Sequence, residues 1–224
     1  MKLIPLFLLR KTLWQSILMC LLCLCMQNCI NSEAFAQSSS YDDFIFAVKF
    51  DDAATVQRFI QRGIDANSVE ALRGESVLMI AIREKSLRVI DVLLNAPEIN
   101  IEARARNGDT ALMIASFLGN SVVVKKMIAA GAEVNRPGWA PVHYAAASGN
   151  VETLNILLDN AAYIDSESPN KTTPLMLALR SGKYDTAKAL IDAGADIHLR
   201  NDAGMTASDF AKETERNDLI SLFK

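Results

Sequence analysis

An all-α solenoid of stacked, paired antiparallel helices is the fold class that three observations in this chain predict. A six-residue word recurs: Thr110-Ala111-Leu112-Met113-Ile114-Ala115 returns as Ala140-Pro141-Val142-His143-Tyr144-Ala145 and as Thr173-Pro174-Leu175-Met176-Leu177-Ala178. Glycines punctuate each period at matching places, and a second apolar segment with three- and four-residue spacing follows each word. The alanines that close the words (Ala47, Ala81, Ala115, Ala145, Ala178 and Ala211) lie 34, 34, 30, 33 and 33 residues apart. A fixed period of this length marks units that bury their apolar faces only against one another.

Within one period the elements follow in order. Thr110, Thr173 and Ser76 are good N-caps, and Pro141 and Pro174 stand where a first helical turn lacks nothing by losing an N–H. The closing alanine lets neighbouring helices approach. Gly119, Gly149 and Gly182 then break the first helix so that the chain turns back. The second helix shows its apolar stripe at Val89, Val92 and Leu93 in one copy and at Leu154, Leu157 and Leu158 in another. Gly63, Gly131 and Gly194 stand where the end of that helix calls for a left-handed residue. Short extended loops join each pair to the next.

The word, the Gly-Asn pair in Phe117-Leu118-Gly119-Asn120 and Ala147-Ser148-Gly149-Asn150, and the closing Ala130-Gly131-Ala132-Glu133-Val134-Asn135 together resemble the ankyrin repeat. The likeness runs from about Tyr41 to Lys224, in about six units: 41–73, 74–107, 108–137, 138–170, 171–203 and 204–224. The first and last are polar enough to act as caps, as terminal repeats of a stack must be. The resemblance implies β-hairpin-like finger loops between the helical pairs. It also implies a module that binds proteins through its finger tips and the concave side of its first helices.

Several residues depart from the pattern. Ala161 replaces the helix-ending glycine of the fourth unit, at a cost of about 1 kcal/mol if the left-handed conformation is kept. Pro97 ends the second helix of the second unit in place of glycine. The loop from Asn135 to Gly138 is shorter than its counterpart from His198 to Gly204, which predicts a clipped finger between units three and four. Only His143 keeps the family's Thr-Pro-Leu-His histidine; Met79, Met113 and Met176 replace it, so loop hydrogen bonds are expected to be partly lost.

Residues 1–36 fall outside the repeats. Lys2, Arg10 and Lys11, the apolar run from Leu13 to Met26, and Ala34-Phe35-Ala36 have the plan of a secretory signal peptide cleaved after Ala36. The run is short for a spanning helix, which needs about 20 residues. Gln37 to Ser40 reads as a flexible tether. All four cysteines (Cys20, Cys23, Cys25 and Cys29) lie in this leader, so the exported domain has no disulfide framework and no thiolate chemistry. The leader looks bacterial, which predicts a periplasmic domain. If it stays uncleaved, the alternative is an envelope-tethered structural scaffold.

Chemistry finds few candidates. His143 and His198 are the only histidines, and no carboxylate is spaced with them as a metal or acid–base set. Ser148 lacks a nucleophile-elbow setting, and Asp196 and Asp202 lack EF-hand spacing. No catalytic residue, cofactor site or metal site is expected. Without the leader, 188 residues carry 20 basic and 25 acidic groups, a net charge of −5 that argues against nucleic acid or anionic membrane as main partner. A monomer that binds a protein partner is the expectation.

The positions that the resemblance assigns to binding include Trp139 in a finger and Phe117 and Leu118 in the facing groove. Together they would form an apolar centre, with Asp109, Arg83 and Arg180 as its rim. The competing assignment is packing. Trp139 would then fold over the clipped loop, and at least one of Phe117 and Leu118 would be core.

Overall fold

The computed structural model describes residues 40–223. The leader with its cysteines, the cleavage site after Ala36 and most of the Gln37–Ser40 tether lie outside the described residues. The chain divides into two units, Met1–Phe46 and Ala47–Lys224. Of the first, residues 40–46 are described and are helical; they begin helix α1 (residues 40–49).

The second unit is an all-α ankyrin-type solenoid. It holds α2 (Ala53–Gln61), α3 (Val77–Arg83), α4 (Leu87–Leu94), α5 (Ala111–Phe117), α6 (Ser121–Ala129) and α7 (Pro141–Ser148). It continues with α8 (Val151–Asp159), α9 (Pro174–Arg180), α10 (Tyr184–Asp192), α11 (Ala207–Glu213) and α12 (Asn217–Ser221). Two layers result. The first helices stack in the order α3, α5, α7, α9, α11, while α6, α8, α10 and α12 stack behind them, each in contact with the first helix of its own repeat. The core lies between the layers. Leu78, Met79, Ile82, Ile90, Leu93, Leu112, Met113, Met127, Leu154, Leu157 and Leu175 are fully buried there. Ala81, Ala115, Ala145 and Ala178 are completely enclosed where first helices meet, so a larger side chain would push the layers apart.

The caps are the expected ones. Side-chain oxygens of Ser76, Thr110, Thr173 and Thr206 each accept the N–H of the residue three further on, at 3.4 Å. Asp52, Asn120 and Asn150 do the same for second helices, at 3.1, 3.2 and 2.7 Å. The return bond from the N-cap N–H goes to whatever the third helical residue offers: Met113 Sδ at 3.4 Å, His143 Nδ1 at 3.1 Å, Asp209 Oδ2 at 2.9 Å. The methionine copy at Met113 therefore keeps one of the bonds expected to be lost.

The turn between helices of a pair is left-handed at Gly119, where φ is +65°, and an added Cβ would sit 2.9 Å from Asn150 Cγ. Asp51, Lys85 and Glu215 adopt the same region with φ of 55°, 59° and 54°, without a glycine to announce it. At the far end of the second helix Ala161 keeps the left-handed conformation at φ 63°, and in the second unit Glu98, just past Pro97, takes it at φ 54°.

Among the described residues the loops hold no strand, only an isolated antiparallel bridge between Val69 and Ser76. A backbone bond from Glu70 to Glu75 closes the same finger, and bonds from Ala105 to Asp109, Ser168 to Thr172 and Asn201 to Met205 close others. A side chain in each loop ties it to the next repeat. Asn67 Oδ1 accepts the Asn100 N–H at 2.7 Å while its amide donates to Glu98 O at 2.9 Å. Asn135 repeats both bonds, to the Tyr163 N–H at 2.8 Å and Ala161 O at 2.7 Å.

Candidate functional site

Residues three apart on a helix share a face. Ile114 and Phe117 of α5, Tyr144 and Ala147 of α7, and Leu177 and Arg180 of α9 are such pairs, and stacking the three helices aligns them along one groove. Two hollows of about 230 Å³ open on it. Trp139, Tyr144, Leu177 and Arg180 line one of them, Arg83, Asp109 and Ile114 line the other, and Phe117 and Tyr144 belong to both.

Phe117 is 53% exposed, Leu118 38% and Trp139 39%. Neither Phe117 nor Leu118 is core, so the expectation that one of them packs inside is corrected. They sit at the last residue and the C-cap of α5, where the chain already leaves the packed layer. Trp139 does two things at once. Its ring meets the His143 ring edge-on, with centroids 5.4 Å apart at 75°, and the rest of it borders the hollow.

His143 supports this wall. It is buried, its Nδ1 accepts the Ala140 N–H, and its Nε2–H donates to Ser166 O at 3.0 Å and Thr172 O at 3.2 Å. An Nδ1 that accepts an amide N–H must carry a lone pair, so the proton is on Nε2 and the ring is neutral. Burial lowers its pKa below 6.5, against the pull of those backbone bonds.

Asp109 does not lie at the rim as expected. It is buried, its Oδ1 accepts the Tyr144 hydroxyl, and its Oδ2 accepts Asn107 Nδ2 at 2.7 Å. Burial, then the Asp109 hydrogen bond and negative charge, push the Tyr144 phenol well above its usual range, and the positive charge of Arg136 opposes them. Arg83 is half-buried, with Nε 2.7 Å from Oε1 of the enclosed Glu75. Arg180 is exposed at the edge of the hollow.

Tyr144 and Leu177 were missed as groove residues, and Arg136 lines a separate hollow on the finger side. Tyr144 had a signal: it is a polar-tipped ring in the word position that Ile80, Ile114 and Leu177 fill with aliphatic side chains. A larger, open hollow of about 700 Å³ lies on the finger side, where the clipped loop leaves room between Asn135, Gly138, Tyr163 and Asp165. Burial and the charge of Asp196 raise the Asp165 pKa, and the Asp196 N–H that it accepts acts the other way. Among the described residues no group of three His, Cys, Asp or Glu side chains could hold a metal, and no helix is long and apolar enough to cross a membrane.

A family model of three ankyrin-repeat copies matches residues 44–137 and again 119–201. The chain belongs to the ankyrin-repeat family. As such it carries a protein–protein interaction module, which in this family is generally non-catalytic. The ankyrin-repeat chain is 30% identical over 162 residues to transient receptor potential cation channel subfamily A member 1 of Homo sapiens, covering 67% of this chain and 14% of that protein. It is 31% identical over 152 residues to the mitochondrial disaggregase of Bos taurus, covering 65% of this chain and 22% of that protein. It is also 31% identical over 179 residues to neurogenic locus notch homolog protein 1 of Xenopus laevis, covering 79% of this chain and 7% of that protein. The chain thus spans less than a quarter of each of these relatives.

Proposed function

We propose that this ankyrin-repeat chain is a non-catalytic binding protein of the bacterial periplasm. It holds a protein partner in the groove of α5, α7 and α9 and serves as inhibitor, immunity protein or stabilising accessory of an envelope enzyme. The observation that carries the binding role is the exposure of Phe117 and Trp139 in one hollow, with Leu118, next to Phe117 in the chain, exposed outside both hollows. Clustered aromatic side chains in a concavity are the usual energetic centre of an interface. The leader plan of residues 1–36 and the lack of cysteine after Cys29 support export.

Capture from a periplasmic extract tests the binding role, with the natural chain and its Phe117→Ala, Leu118→Ala, Trp139→Ala triple variant as baits. The expected result is an enzyme identified by mass spectrometry on the natural bait and absent from the variant, with equal helical circular dichroism for both. Equal capture by both folded baits removes this groove as the site. Added chain then slows the captured enzyme if it inhibits and lengthens the enzyme's half-life if it stabilises. The mass of the protein recovered from cells tests export: a chain starting at Gln37 supports it, and an intact leader favours the tethered scaffold.

A further inference from the structure

Phe117 and Tyr144 form the shared wall between the two hollows of the groove. At about 230 Å³ each is smaller than the roughly 300–1,000 Å³ pockets that enclose small-molecule ligands. Adjacent hollows of that size suit single apolar side chains presented in succession by an extended segment.

Charge along the groove is uneven. Glu75 neutralises Arg83, and Tyr144 and Asn107 occupy the Asp109 carboxylate. Arg180 takes part in none of the ion pairs among the described residues. Arg136 lines the separate finger-side hollow with Asp165 and Glu167, and its Nη1 is closed off from solvent, so an incoming carboxylate does not reach it. A guanidinium is best answered by a carboxylate. The exposed Arg180 guanidinium thus stands unanswered beside aromatic walls, in a chain whose overall charge is −3.

We propose that the groove takes an extended acidic peptide segment of the partner protein, with apolar side chains in the two hollows and a carboxylate on Arg180. This rests on the reading of the groove as the binding face.

Phage-displayed random peptides test it, panned on the full chain purified as its cells produce it and on its Arg180→Glu and Phe117→Ala variants. Peptides enriched on the natural chain are expected to carry Asp or Glu beside Leu, Ile or Phe. Arg180→Glu is expected to exchange the acidic flank for a basic one and to weaken an enriched acidic peptide roughly tenfold, and added salt is expected to weaken that peptide on the natural chain. Apolar peptides with no charge preference, unchanged by Arg180→Glu, would overturn the acidic assignment while leaving the groove as binding face. Equal binding to a folded Phe117→Ala variant would remove the groove itself. No enrichment on the natural chain would overturn an extended segment as the occupant and leave a folded surface in its place.

Discussion

The Tyr144 hydroxyl donates to the Asp109 carboxylate across the boundary between two repeats, 35 residues apart in sequence. That bond makes Asp109 a buried brace of the groove and fixes the Tyr144 ring in the wall between its two hollows. Tyr144→Phe leaves Asp109 Oδ1 without this donor and is expected to lower stability by about 1–2 kcal/mol, read as a drop in urea midpoint at constant m-value. A phenol whose pKa is raised by folding keeps its proton when the unfolded one has lost it. Stability from Tyr144 is therefore present below about pH 10 and falls as pH rises above it. The tyrosine variant should lose that alkaline decline; an unchanged decline would assign it elsewhere.

Ala161 occupies a left-handed position at φ 63° that glycine fills in the equivalent turns at Gly63, Gly131 and Gly194. It is exposed, so its methyl group contributes little packing. Ala161→Gly is expected to raise stability by about 1 kcal/mol, the strain released being offset in part by a freer unfolded chain. Thermal unfolding checks it, and a lowered midpoint would contradict the strain.

Asp165 holds the place that Asn67 and Asn135 hold in earlier loops. Their amides both accept an N–H from the next repeat and donate to a carbonyl there. The carboxylate of Asp165 accepts the Asp196 N–H at 3.1 Å but has nothing to donate, and it faces the like charge of Asp196. Asp165→Asn restores the second bond and removes the repulsion. An increase of about 0.5–1 kcal/mol in unfolding free energy is expected, measured by urea unfolding at neutral pH.

The stack itself was legible because it rests on local punctuation written several times. Capping Ser76, Thr110 and Thr173, the alanines of the helix contacts and the glycines of the turns each recur in register, so one weak signal is multiplied. The left-handed residues at Asp51, Lys85 and Glu215 were not legible, because tertiary packing imposes a conformation that their side chains do not advertise. The groove was half legible. Phe117, Leu118 and Trp139 follow from their places in the repeat, whereas exposure depends on what the neighbouring helix end covers. Asp109 was misplaced because its partner is a ring one repeat away, which no spacing within a repeat reveals.

His143 joins two loops through a neutral ring, and its burial makes the fold sensitive to acid. The ring's folded pKa is lowered, so below 6.5 the unfolded chain takes up a proton that the folded chain resists. Stability from His143 is fully present above pH 6.5 and is lost as pH falls from there toward the lowered folded value. Protonation would also turn Nδ1 into a donor facing the Ala140 N–H, which breaks the return bond of the α7 cap. Met79, Met113 and Met176 fill the same word position in other repeats, so His143→Met keeps the volume while removing the titration. At about pH 7.5 this variant is expected to be less stable by about 2 kcal/mol, because Ser166 O and Thr172 O lose their donor. Urea titrations repeated down to about pH 5 should show the natural chain losing stability faster than the variant, so that the gap between them narrows. A constant gap across that range would mean that His143 does not supply the acid sensitivity.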